Sequence, residues 1–140
     1  MVDKEVVRRI LSSLNEALEH LKRKQNITFE MYEKDKDIQA IVERKLETAI
    51  QGCIDIGNHI IAQQDLGSPS DYGEIFLILT QNDIIGSEQG KILTKMAGFR
   101  NILIHEYRDI LSEKVYDVLQ NKLSDFYNFA KSILDYIEKV

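Results

Sequence analysis

The sequence predicts an all-α protein, an up-and-down bundle of four main helices plus a short one, and three observations point there. Apolar residues recur every three or four positions over long stretches, as helices with one buried face require. One proline and seven glycines in 140 residues leave little material for a strand-and-turn architecture. The segments between the periodic stretches are short, which makes sequential helices antiparallel neighbours.

The first helix is expected over about residues 3–24, with Val6, Val7, Ile10, Leu11, Leu14, Ala17, Leu18 and Leu21 in one stripe. Residues 25–28 break it, and Asn26 or Thr28 can cap the next helical segment. Phe29 and Tyr32 are spaced for a short helical turn or a kinked helix start. Residues 33–37 carry no apolar side chain and read as a solvated charge run. From Asp37 a second long helix holds Ile38, Ile41, Val42, Leu46, Ala49, Ile50, Cys53, Ile54, Ile60 and Ile61. Gly52 and Gly57 lie inside it, each costing about 1 kcal/mol of helix propensity relative to alanine. Close approach of a neighbouring helix is the expected reason for both.

Residues 66–69, Leu-Gly-Ser-Pro, end that helix. Ser70 or Asp71 then caps a third, short helix with Tyr72, Ile75, Phe76 and Leu79. Residues 82–86 form a loop, and Ser87 caps a fourth helix through Ile92, Leu93, Met96 and Ala97 to about Leu103. Ser112 caps a last long helix with Val115, Tyr116, Leu119, Leu123, Phe126, Ala130, Ile133, Leu134 and Ile137 on its inner face.

The length suits one domain, spanning the whole of residues 1–140, with a hydrophobic core of its own. A 44% hydrophobic and 29% charged composition is ordinary for a soluble globular protein. The single Cys53 excludes an intrachain disulfide and suits the cytoplasm. No signal-peptide segment follows Met1, and no apolar run reaches membrane-spanning length. The net charge of −5 argues weakly against a protein that coats nucleic acid, but leaves room for an enzyme with a small basic cleft.

Residues 98–109, GFRNILIHEYRD, carry the chemistry. They fall at the end of one helix and in the loop before the next, where polar groups are free to face a cleft. Arg100, Asn101, His105, Tyr107 and Arg108 form a dense set of cationic and titratable groups, with Ile102 to Ile104 as backbone anchors. Asn101 and His105 are four apart and share a helix face. Arg100 and His105 are five apart, about 140° around an ideal helix. Either the helix unwinds before His105 or the site is shared with a second copy of the chain.

Arg100-x4-His105-x-Tyr107 matches the RX4HXY signature, and the chain resembles the HepT group of HEPN domains. Residues 43–46, 53–61, 72–76 and 96–101 look like the corresponding segments of that family, so the resemblance covers nearly the whole chain. It implies a metal-independent endoribonuclease without cofactor, acting as a homodimer with its two Arg/His motifs meeting in a cleft at the interface. It further implies the toxin of a type VII toxin–antitoxin pair that cuts RNA, with tRNA among the candidates. The partner implied is an MntA-type minimal nucleotidyltransferase antitoxin, which transfers AMP from ATP onto the motif tyrosine, here Tyr107.

The residue types suit that chemistry. RNA supplies its own nucleophile, the 2′-hydroxyl. A histidine titrates near neutrality and can take or give a proton there or at the leaving oxygen. An arginine stays charged and binds phosphate through a planar fork. Arg100 is thus the expected phosphate holder and His105 the proton carrier, with a cyclic phosphate and a 5′-hydroxyl as products. AMP on Tyr107 would set a negative phosphodiester beside Arg100 and occupy the cation.

Plainer readings exist for each residue. Arg100 and His105 could be cations favoured by the dipole at a helix C-terminus, and Tyr107 a half-buried aromatic with a wet hydroxyl. Asp55 and His59, four apart, are either an ordinary intrahelical pair or supporting residues on the cleft wall. Asn101 is the third supporting candidate. His20 is expected exposed and Cys53 in the core. No zinc spacing, phosphate-cradling glycine loop or protease-type nucleophile motif is present. The rival function is a non-catalytic helical binding module that presents itself, or a substrate, to a nucleotidyltransferase. The acidic charge leans mildly that way; the presence of both Arg100 and His105 leans toward catalysis.

Overall fold

The stripe from Val7 to Leu21 becomes the buried face of the first helix, α1 (Lys4–Arg23), with Val7, Leu11, Leu14, Ala17, Leu18 and Leu21 out of water. Asp3 caps it, its carboxylate accepting from the Glu5 and Val6 amides. A computed structural model describes residues 2–105 and 108–140, with side chains for all of these except residues 105 and 108–111. Among the described residues all regular structure is helical, as the sequence predicts: after α1 come α2 (Phe29–Lys34), α3 (Lys36–Gln64), α4 (Tyr72–Gln81), α5 (Ser87–His105), α6 (Arg108–Asn121) and α7 (Leu123–Lys139).

Thr28 is the cap of α2, its hydroxyl accepting from the Met31 amide. Asp35, inside the solvated charge run, caps α3 by accepting from Asp37 and Ile38. Buried Gln39 reaches back and donates to the Tyr32 and Glu33 carbonyls at 2.8 and 2.9 Å, satisfying the orphan acceptors at the end of α2. α3 packs against every other helix. Ile54 and Ile56 are both fully buried although they lie about 200° apart, so this helix is covered on more than one side.

The two glycines of α3 differ. A Cβ on Gly57 would overlap the Ile75 side chain, so α3 and α4 touch there because no side chain intervenes. A Cβ on Gly52 would meet Leu14 Cβ at 3.6 Å, an ordinary contact. Close helix approach, expected at both, is required only at Gly57.

Asp71 caps α4, accepting from the Glu74 amide at 2.8 Å. α4 and α5 form an antiparallel pair, with Gly73 facing Thr94 and Gly90 facing Thr80. The start of α4 thus lies beside the end of α5. Phe76 meets Phe129 of α7 edge-on, 6.0 Å between ring centroids.

The C-terminal half departs from expectation. Ser112 lies inside α6, which begins at Arg108, and the single last helix is two, interrupted at Lys122. Val115, Leu119, Leu123 and Phe126 keep helical spacing across the break, so the apolar pattern carries no sign of it. α6 is pinned to the α1–α2 connection: Tyr116 donates to the Ile27 carbonyl, Gln120 to Gln25, and Gln25 to Leu119. Among the described residues, no helix is long and apolar enough to cross a membrane.

Candidate active site

α5 continues without interruption through His105, its last residue. Of the two geometries the motif spacing allows, unwinding before His105 is therefore not the one adopted. On a helix that persists, Arg100 and His105 leave the axis about 140° apart. The His105 side chain and the whole of Tyr107 lie outside the described residues.

Arg100 is half-buried at the α4–α5 edge. Its guanidinium carbon sits over the Tyr72 ring, 5.6 Å from the centroid. Its Nε is sealed from water without a hydrogen-bond partner among the described residues. Tyr72 is the first residue of α4 and is 37% exposed, so the cation is held on an aromatic face at the protein surface. Beside it, exposed Asn101 lines a groove of about 430 Å³ with Asp71, Tyr72, Gly73, Thr94 and Gly98. The small residues keep its floor open. The structure therefore brings Arg100, Asn101 and Tyr72 to one edge.

It does not bring Asp55 there. Asp55 is exposed in a different groove, between α1 and α3, beside Arg9 and Arg44. It accepts from Gln51 at 2.8 Å rather than pairing with His59. His59 is half-buried, with Nε2 out of water and no hydrogen-bond partner among the described residues. The plainer intrahelical pair is thus absent. His20, expected exposed, is half-buried in the last turn of α1. Cys53 is in the core as expected, and burial pushes its thiol well above the usual range, which leaves it inert as a nucleophile.

The sequence profile described as Ribonuclease HepT-like matches residues 14–133. This chain belongs to the HepT-like ribonuclease family. The mRNA nuclease HepT of Shewanella oneidensis is 37% identical over 102 residues, 73% of this chain and 77% of that protein. The tRNA nuclease HepT of Aphanizomenon flos-aquae is 31% identical over 127 residues, 91% of this chain and 86% of that protein. Among solved structures, a tri-AMPylated HEPN toxin of Shewanella oneidensis in complex with its MNT antitoxin superposes with a TM-score of 0.86. It is 30% identical, and the match covers 96% of this chain and 99% of that one.

In this HepT-like chain the sequence reading missed Tyr72 as a partner of Arg100. It placed Tyr72 in a short helix and in a family-like segment, without a role at the site. One signal was available: an aromatic at the first position of a helix, next to the capping Asp71, has no preceding turn to bury it.

Proposed function

We propose that this chain is the toxin of a toxin–antitoxin pair, a metal-independent ribonuclease whose active site is completed by a second copy of itself. The observation that carries the reading is the continuity of α5 through His105. One straight helix cannot aim Arg100 and His105 at a single phosphate. Two copies related by a two-fold axis can, the arginine of one facing the histidine of the other. The nuclease names of both sequence relatives favour catalysis over a non-catalytic presenting module.

In the proposed reaction the RNA 2′-oxygen bonds to phosphorus while the bond from phosphorus to the 5′-oxygen breaks. His105 accepts the 2′ proton or supplies one to the departing 5′-oxygen. Arg100, pre-positioned on Tyr72, stabilises the charge on the non-bridging oxygens. Asn101 supports the substrate from the adjoining groove. Asp55 sits in the α1–α3 groove away from this edge, so a supporting role for it runs through the second copy or the antitoxin; His59 is the other supporting candidate on α3. The RNA target is mRNA or tRNA, as in the relatives, and the site of action is the cytoplasm.

The antitoxin is a minimal nucleotidyltransferase that acts on Tyr107. The tyrosine oxygen bonds to the α-phosphorus of ATP, pyrophosphate leaves, and the AMP blocks the cleft by bulk and by charge opposite Arg100. The solved relative in tri-AMPylated form with its antitoxin supports this.

The test is incubation of purified, unmodified protein with total RNA in EDTA, followed by end-group analysis. Cyclic phosphate and 5′-hydroxyl ends are expected, and His105→Ala and Arg100→Ala should abolish them. Cleavage by His105→Ala at the native rate removes His105 from the mechanism. Mass spectrometry of Tyr107 after exposure to the antitoxin and ATP checks the switch; an unmodified tyrosine in an active mixture removes it.

A further inference from the structure

Between α5 and α6 runs a second groove, of about 240 Å³, that the Arg/His motif does not include. Ile92, Met96, Phe99 and Val118 make an apolar floor, and Lys95, Lys114 and Lys122 stand on its rim. All three lysines are exposed, and none has an ion pair among the described residues. Among the described residues the one acidic group on the rim is Asp117, which accepts from Asn121 at 2.7 Å. In a chain of net charge −5 this is a local excess of cations. Cations that border apolar and aromatic surface are what a single strand needs, with phosphates on the ammonium groups and bases against the floor.

We propose that this groove is a single-stranded RNA subsite that holds the nucleotides flanking the scissile linkage. The inference rests on the ribonuclease reading and deepens it. Continuity favours RNA over an acidic protein segment: Phe99, on the groove floor, immediately precedes Arg100. Lys95 lies about 7.5 Å back along the same helix and about 140° around it, so a strand whose phosphate is held by Arg100 reaches this groove by passing around α5.

The test uses a 2′-O-methyl RNA of about 12 nucleotides, which lacks the nucleophile and reports binding without cleavage. Its anisotropy is titrated at salt concentrations from about 50 to 200 mM for the full chain and for Lys95→Gln/Lys114→Gln/Lys122→Gln. Loss of three phosphate contacts should remove about two units from the log–log salt slope and weaken binding about tenfold or more. Asp117→Asn should tighten it. Cleavage of a dinucleotide, too short to reach the groove, should persist in the triple variant.

Equal affinity and equal slope for native and triple variant would overturn the subsite. So would a triple variant that binds the RNA normally but no longer captures the antitoxin, which would give the groove to a protein. The two readings separate cleanly. Lysine-dependent binding by a native protein that cuts no RNA leaves the subsite and removes the ribonuclease; cleavage with lysine-independent binding does the reverse.

Discussion

The guanidinium of Arg100 lies over the face of Tyr72, 5.6 Å from the ring centroid, and so ties the end of α5 to the start of α4. An arginine with free rotamers would have to be ordered when RNA binds, at a cost in entropy. Here the aromatic face restricts it beforehand. A cation–π contact at an exposed site contributes about 0.5–1 kcal/mol. Tyr72→Ala should therefore slow RNA cleavage about two- to fivefold, with Tyr72→Phe close to native because the π face remains. Initial cleavage rates measure this, and an unchanged rate for Tyr72→Ala removes the positioning role.

Gly52 and Gly57 offer a paired experiment within one helix. Gly57→Ala drives a methyl into the β-branched side chain of Ile75, which has little room to yield. It should destabilise the fold by about 1–3 kcal/mol. Gly52→Ala meets Leu14 at an ordinary 3.6 Å. It should be neutral or stabilising by up to about 1 kcal/mol, through helix propensity alone. Urea midpoints give both; similar losses for the two variants would contradict the contact difference.

Tyr32 is fully buried where α2 meets α3 and α6, its ring against Tyr116, and its hydroxyl has no hydrogen-bond partner among the described residues. Burial, then the nearby charge of Glu43, pushes its pKa above the ordinary phenol range. The unfolded chain releases this proton near pH ~10 while the folded chain keeps it, so stability falls as the pH rises beyond that point. Tyr32→Phe removes an orphan polar group. At neutral pH it should match or exceed native stability by up to about 1 kcal/mol, and its alkaline loss of stability should be shallower. Urea unfolding at neutral and alkaline pH checks both signs.

What the sequence discloses and what it hides divide along the range of the interaction. Caps such as Thr28 and Asp71 act within three residues, and the stripe of α1 acts within one turn, so both are legible. The Arg100 motif is legible for the same reason. Asp35 is harder to see: its capping role is masked by the charge run around it. The break at Lys122 leaves no trace because Leu119 and Leu123 keep helical spacing across it. Tyr72 and Arg100 are 28 positions apart, and only the antiparallel packing of α4 on α5 joins them. The lysine-rimmed groove draws its cations from α5, α6 and the α6–α7 break, so no single window of sequence contains it.

A shared active site makes a prediction that a site within one chain cannot mimic. Arg100→Ala and His105→Ala should each be inactive alone. Mixed in equal amounts and allowed to exchange subunits, about half of the dimers become heterodimers. In each heterodimer one cleft pairs the intact arginine of one copy with the intact histidine of the other, while the second cleft has lost both. About a quarter of the native sites, and of the native cleavage rate, should return. If both residues instead acted within one chain, every heterodimer site would lack one of them and the mixture would stay dead. The unbroken course of α5 through His105 favours recovery, and persistent inactivity in a mixture shown to contain heterodimers would rule out the two-copy site.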